Sequence, residues 1–295
     1  MWVEGERLAI GQGGADDSRR VGAAFGGQMG ADAGAAGSAV SSTCELASGV
    51  FDGRSDALED STGHESSSAS ELVTAALPPL TVAIQAGGES RRMGRSKATV
   101  PFGGRPLLCR IVELVDGVAD EIVVTTNGLD DLGFLSQMAQ APKIRVVRDL
   151  LDVRGSMTGL YTALASATRD YVAVCACDMM DVSANLFQAE LACAVQGGFD
   201  AVVPETSNGF EPFHAVYRRV ACLESALRSM AAARESSSTR KGGASMKSVL
   251  LDPQLNVRRF TMDEVRAVAD PGCFSNCNTP DELSRAESRI FGKAV

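Results

Sequence analysis

The sequence predicts an α/β fold with a mostly parallel sheet covered on both faces. Three observations carry that expectation. From residue 80 onward, short apolar runs rich in β-branched residues recur. Between them lie stretches whose apolar residues repeat at helical spacing. The first 79 residues share neither pattern, so the fold is expected to start at Leu80 and to extend to residue 295.

Leu80-Thr-Val-Ala-Ile84 reads as a buried strand by length and residue type. A polar loop follows, to about Gly104. Leu107, Ile111, Leu114 and Val118 then recur at helical spacing behind Pro106, a residue suited to a helix's first turn. Glu121-Ile-Val-Val-Thr125 is the second strand, with a helix expected near 129–140. Lys143-Ile-Arg-Val-Val147 is the third, with a helix near 157–168. Tyr171-Val-Ala-Val-Cys-Ala-Cys177 is the most apolar run and the best candidate for a central strand. After it, Phe187, Leu191, Ala194 and Val195 are expected to share one helical face. Asp200-Ala-Val-Val203 and a run near 212–218 read as two further strands. Residues 234–247 interrupt the pattern as a polar, mobile loop. In Asn278-Thr-Pro-Asp-Glu-Leu283, Thr279 caps a helix, Pro280 takes its first position and Glu282 completes a capping box.

Charge divides the chain in two. The formal net charge is −9, which disfavours nucleic acid as a default partner. Residues 1–79 hold twelve acidic and four basic side chains, so nearly all of the excess lies there. Gly, Ala and Ser crowd the same segment, as in Gly30-Ala-Asp-Ala-Gly-Ala-Ala-Gly37 and Ser66-Ser-Ser-Ala-Ser70. Such a segment buries too little apolar surface to offset the entropy of ordering, and a disordered, solvated tail is expected. No apolar run approaches the roughly 18 residues of a membrane span. Glu4 and Glu6 stand where a signal peptide wants positive charge, so the expectation is a cytoplasmic protein with no membrane partner. The eight cysteines lack the spacing of a zinc knuckle or ribbon and read as free thiols in a reducing compartment.

In open parallel sheets, ligands bind beyond the carboxyl ends of the strands. The residues following each strand are therefore the candidates. After the first strand comes Gln85-Ala-Gly-Gly-Glu-Ser-Arg-Arg-Met-Gly-Arg-Ser-Lys97. Gly87 and Gly88 allow the backbone close to a ligand and expose its N–H groups. Arg91, Arg92, Arg95 and Lys97 against Glu89 give the loop a local charge of +3, which suits a polyphosphate and equally describes a basic surface loop. Neither a Walker loop nor the dinucleotide fingerprint is present. Asp178, after the most apolar strand, suits magnesium, which takes one or two carboxylates plus phosphates and water; an Asp there also serves as a helix N-cap. Asp149 lies between Arg148 and the nearby Arg154, so a local ion pair competes with a ligand contact. Asn127-Gly128 is also an ordinary turn dipeptide. His214 is read as a packed or locally hydrogen-bonded residue. No Ser–His–Asp or paired-carboxylate arrangement of a hydrolase is evident.

The Gln85–Ala98 segment resembles the LAGGxSxRMGxxKA signature of small-molecule nucleotidyltransferases, and specifically of the molybdenum cofactor guanylyltransferases. The resemblance runs over about residues 80–290. Gly155-Ser-Met-Thr-Gly159 stands where that family has GPLAG, and Glu211-Pro-Phe-His-Ala215 resembles its PLHA stretch. Phe274-Ser-Asn-Cys-Asn-Thr-Pro280 resembles FxNxNTP. Departures are Gln85 for Leu, Ser96 for a frequent Asp, and Ser156-Met157-Thr158 for Pro-Leu-Ala. The resemblance implies a Rossmann-like three-layer nucleotidyltransferase fold that transfers GMP from GTP to molybdopterin and releases pyrophosphate. It implies GTP contacts at Gln85, Ala86, Gly87, Gly88, Lys97, Asn127, Asp149 and Asp178. Arg92, Lys97 and Asp178 would be catalytic, with Mg²⁺ on Asp178, and Asn276 and Asn278 would hold the pterin. Partners would be GTP, molybdopterin, and molybdoenzymes or other cofactor-biosynthesis proteins. A sister enzyme using CTP or a sugar or polyol phosphate, and a non-catalytic nucleotide-binding protein, are the alternative readings.

Overall fold

The computed structural model describes residues 76–87, 96–128, 131–153, 155–236 and 244–292. The expected tail, apart from residues 76–79, lies outside the described residues. So do Gly88, Arg92 and residues 237–243 of the expected mobile loop.

The main strands are β1 (Leu80–Gln85), β4 (Glu121–Thr126), β5 (Ile144–Arg148), β6 (Tyr171–Ala176), β7 (Ala201–Thr206), β9 (Ala215–Arg218) and β10 (Val257–Phe260). A short β8 (Gly209–Phe210) pairs with β7, and β2 (Pro101–Phe102) forms a small hairpin with β3 (Arg105–Pro106). The large sheet runs β10-β7-β9-β6-β1-β4-β5. Its β6, β1, β4 and β5 are parallel to their neighbours in that group, and β10 is parallel to β7. β9 is antiparallel to both β6 and β7.

Alternate residues of each strand feed opposite faces. Leu80, Val82, Ile84, Ile122, Val124 and Cys175 join a core with α1 (Leu107–Val115) and with Phe187 and Leu191 of α3 (Ala184–Gly197). Ala83, Val172, Val174, Val203 and Tyr217 join a second core on the other face. There they meet α2 (Ser156–Ser166), α4 (Arg219–Ser236) and α5 (Met246–Leu250). A third cluster lies between α3, β7, β10 and α6 (Met262–Val268). The fourth joins Val100, Phe102 and Leu107 to Cys277, Leu283 and Ala286, and so docks α7 (Pro280–Phe291) on the β2–β3 hairpin. The result is a three-layer α/β/α architecture with a mostly parallel sheet.

Several expectations need correction. Within the stretch near 129–140, the described residues 131–140 form no α-helix: short 3₁₀ turns occupy Gly133–Gln137 and Ala141–Lys143. Asp131 accepts the Gly133 N–H at 3.0 Å, and Pro142 removes a donor. Leu132, Leu135 and Met138 still reach the core, at the three-residue spacing that a 3₁₀ turn eclipses. Val195 is 40% exposed, off the edge of the buried arc formed by Leu186, Phe187, Glu190, Leu191, Cys193 and Ala194. Residues 234–236 are helical, as the end of α4, and Met246 and Lys247 open α5. Pro106 precedes the first helical residue and does not lie within the helix. The capping box at Thr279 and Glu282, with Pro280 at the first position, forms as expected.

Candidate functional site

Parallel pairing brings four strand ends to one edge. Gln85 is in register with Thr125 and with Ala176, and Thr126 with Arg148. The ladders continue one residue further: Ala86 N–H donates to Thr125 (2.8 Å), Asp149 N–H to Thr126 (2.7 Å) and Cys177 N–H to Gln85 (3.1 Å). Ala86, Gly87, Asn127, Asp149 and Asp178 therefore converge. They line a cleft of about 440 Å³ together with Gln85, Lys97, Gly155, Ser156, Gly159, Phe213 and Asn276. That volume is within the usual range for a small-molecule site.

Gly87 is tightly enclosed. A Cβ there would lie 3.1 Å from the Asn127 nitrogen and 3.3 Å from Asp149 Oδ2. Asp149 Oδ1 is buried without a hydrogen-bond partner among the described residues. Burial pushes its carboxyl pKa up, with a hydrogen bond from Thr162 opposing. Asn127 sits in a turn, with Gly128 at φ 79° and its N–H donating to Thr126 Oγ1 at 3.2 Å, and it also faces the cleft. The turn and ligand readings are thus compatible.

At the centre of the cleft, Lys97 Nζ donates to Asp178 Oδ2 at 2.6 Å, both side chains being mostly buried. Lys97 also donates to Asn278 Oδ1 at 2.6 Å. Asp178 is not a helix cap: Ser183 caps α3, its side chain accepting the Leu186 N–H at 3.2 Å. The segment carrying Asn276 and Asn278 lies beside the exit of β6, with Asn276 bridged to Met179 and Cys277 N–H donating to the Asp178 carbonyl at 3.1 Å. Asn276 lines the cleft; the amide oxygen of Asn278 is committed to Lys97.

Gln85 is buried at the end of β1, against α2. With its amide oriented to satisfy the neighbouring groups, it accepts the Leu160 N–H (3.1 Å) and donates to the Ser156 carbonyl (3.3 Å). It therefore braces the first turn of α2, whose Gly155 and Ser156 line the cleft. A Cβ on Gly159 would overlap that amide. His214 is fully buried, its Nε2 accepting the Ser183 N–H at 3.1 Å, and burial lowers its pKa to about 3. Phe213, beside it, was not anticipated as a cleft residue. β9 runs against β6, so the residues before it emerge at the edge where the parallel strands end.

Cys273 and Cys277 pack into different clusters, and burial pushes their thiols up to about 12 and about 11. Among the described residues no helix is long and apolar enough to cross a membrane.

Residues 82–246 match the family model of the MobA-like NTP transferase domain. A molybdenum cofactor guanylyltransferase from Desulfosudis oleivorans is 35% identical, the match covering 72% of this chain and 96% of that protein. A relative from Haloferax mediterranei, named "probable molybdenum cofactor guanylyltransferase", is 33% identical over 70% of this chain and 92% of its own length. The fold is similar to the crystal structure of molybdopterin-guanine dinucleotide biosynthesis protein A from Archaeoglobus fulgidus. That likeness has a TM-score of 0.57 and 24% identity, and covers 72% of this chain and all of that one. With strand ends, Gly87 and the lysine–aspartate couple gathered at one cleft, the chain belongs to the molybdenum cofactor guanylyltransferases, a family of MobA-like nucleotidyltransferases.

Proposed function

We propose that this nucleotidyltransferase moves GMP from GTP to the terminal phosphate of molybdopterin. A phosphate oxygen of molybdopterin attacks the α-phosphorus of GTP; the bond from that phosphorus to the bridging oxygen breaks, and pyrophosphate leaves. The observation that carries the reading is the Lys97–Asp178 couple in a cleft at the carboxyl edge, in a chain of this family. No side chain needs to become covalently bound. The protein's task is to place two anions in line and to offset their charge.

Gly87, tight against Asn127 and Asp149, keeps the backbone close enough for its amide to meet a phosphate. Lys97 faces the phosphates as a compact cation. Asp149, which lines the cleft, receives a donor from the base or ribose. Asn276 and Phe213 form the wall offered to the acceptor.

The donor set fits magnesium. Asp178 and Asp149 are hard oxygen donors in one cleft, and no group of three or more His, Cys, Asp or Glu is gathered among the described residues. Magnesium needs few protein carboxylates, because substrate phosphates and water complete its shell. Asp178 would hold it, and when bound it would neutralise phosphate charge.

The test is incubation with GTP, Mg²⁺ and molybdopterin, with CTP in a parallel arm. Dinucleotide and pyrophosphate formed with GTP support the reading. Product with CTP alone, or none with either, overturns it.

A further inference from the structure

Lys97 Nζ donates both to the charged Asp178 carboxylate and to the neutral amide oxygen of Asn278, each at 2.6 Å. The second anchor is unusually well supported for an exposed side chain. The Asn278 N–H donates to the Glu282 carboxylate at 2.7 Å, and the same carboxylate accepts the Thr279 N–H at 3.1 Å. Thr279 returns the contact by accepting the Glu282 N–H at 3.2 Å. The hydrogen bonds that cap α7 therefore fix the backbone of Asn278. Below them, Cys277, Leu283 and Ala286 pack with Val100, Phe102 and Leu107, in the segment that follows Lys97. Both ends of the Lys97–Asn278 contact rest on one small core.

We propose that Asn278 is a positioning residue for Lys97 and not a contact of the acceptor. The lysine stem is flexible, and a carboxylate alone draws the ammonium onto itself. A second, neutral acceptor shares the ammonium with the carboxylate and adds no negative charge to repel phosphates. The C-terminal helix cap is thereby wired to the cation of the cleft. This inference rests on the reading of Lys97 as the phosphate-facing cation.

The experiment is calorimetric titration of GTP with Mg²⁺, without acceptor, into the wild type, Lys97→Ala, Asn278→Ala and the double variant. Asn278→Ala is expected to weaken GTP binding by about tenfold, the scale of one hydrogen bond to a charged group. The double variant is expected to bind no more weakly than Lys97→Ala alone. In turnover assays the KM for molybdopterin should stay at the wild-type value in Asn278→Ala while kcat falls. Wild-type GTP affinity in Asn278→Ala, with a raised KM for molybdopterin, overturns the proposal and returns Asn278 to the acceptor. Additive losses in the double variant also overturn it. Wild-type affinity in Lys97→Ala instead removes Lys97 from the phosphate site, and the inference falls with that reading.

Discussion

A carboxylate just after a buried strand either caps the next helix or holds a cation, and Ser183 already fills the first role here. Asp178→Asn keeps the shape and removes the charge. Turnover is expected to fall by about two orders of magnitude, the scale of one lost electrostatic contact in a preorganised site. Nucleotide-free melting should move little, because the asparagine amide oxygen can still accept the Lys97 hydrogen bond. Near-normal turnover with an unchanged magnesium requirement would remove Asp178 from the site. Asp181 offers no substitute, since it lies in a separate depression beside Arg289 and is not part of the cleft lining. A second expectation concerns Gly159, whose missing side chain makes room for the Gln85 amide. Gly159→Ala should destabilise by about 1–3 kcal/mol, as overpacking does, and adding Gln85→Ala should recover much of it. Thermal melts of the single and double variants decide this; equal losses with and without Gln85 would refute the contact. Gly87, Asn127, Asp149 and Asp178 were legible in the sequence because each lies within two residues of a strand's carboxyl end. The Lys97–Asn278 contact joins residues 181 apart, and nothing local in either segment announces it.

Among the elements, α7 has the clearest start signal, and its box forms with every hydrogen bond in place. Thr279→Ala should cost about 1 kcal/mol, typical of a lost N-cap. For a domain of this size that lowers Tm by about 2–4 °C. An unchanged melting curve would mean that the cap is not coupled to global unfolding. The sequence reading fared worse for α4. Its buried positions are Cys222, Ser225 and Ala226, small residues at helical spacing, so no stripe of large apolar side chains marks it. The direction of β9 was not legible either. A short apolar run such as Ala215-Val-Tyr217 reads the same in either orientation, and only pairing with β6 and β7 fixes it.

At the scale of the molecule, one contribution to acid stability comes from a carboxylate that joins α4 to the turn after α5. The hydrogen bond from Ser225 and the Gln254 N–H lower the Asp252 pKa, burial opposes them, and Arg228 adds to the lowering; the result is about 2. A lowered folded-state pKa gives stability above the ordinary carboxylate value that is lost as pH falls through the folded one. The Tm gap between wild type and Asp252→Asn should therefore be full at neutral pH and close between about pH 4 and pH 2. A gap that persists at pH 2 would assign it to packing. The smallest of the four apolar clusters has a consequence of another kind. Val100, Phe102, Leu107, Met180, Cys277, Leu283 and Ala286 form a unit outside the cores that flank the sheet. Small cooperative units open at lower free energy than the global transition. Backbone amides in residues 97–106 and 277–291 should then exchange with solvent together, ahead of those in β1 and β6. Each such excursion would withdraw the lysine from the cleft while the sheet stays intact, so the fraction of time the cleft spends ready for nucleotide is governed by the weakest unit of the molecule and not by its overall stability.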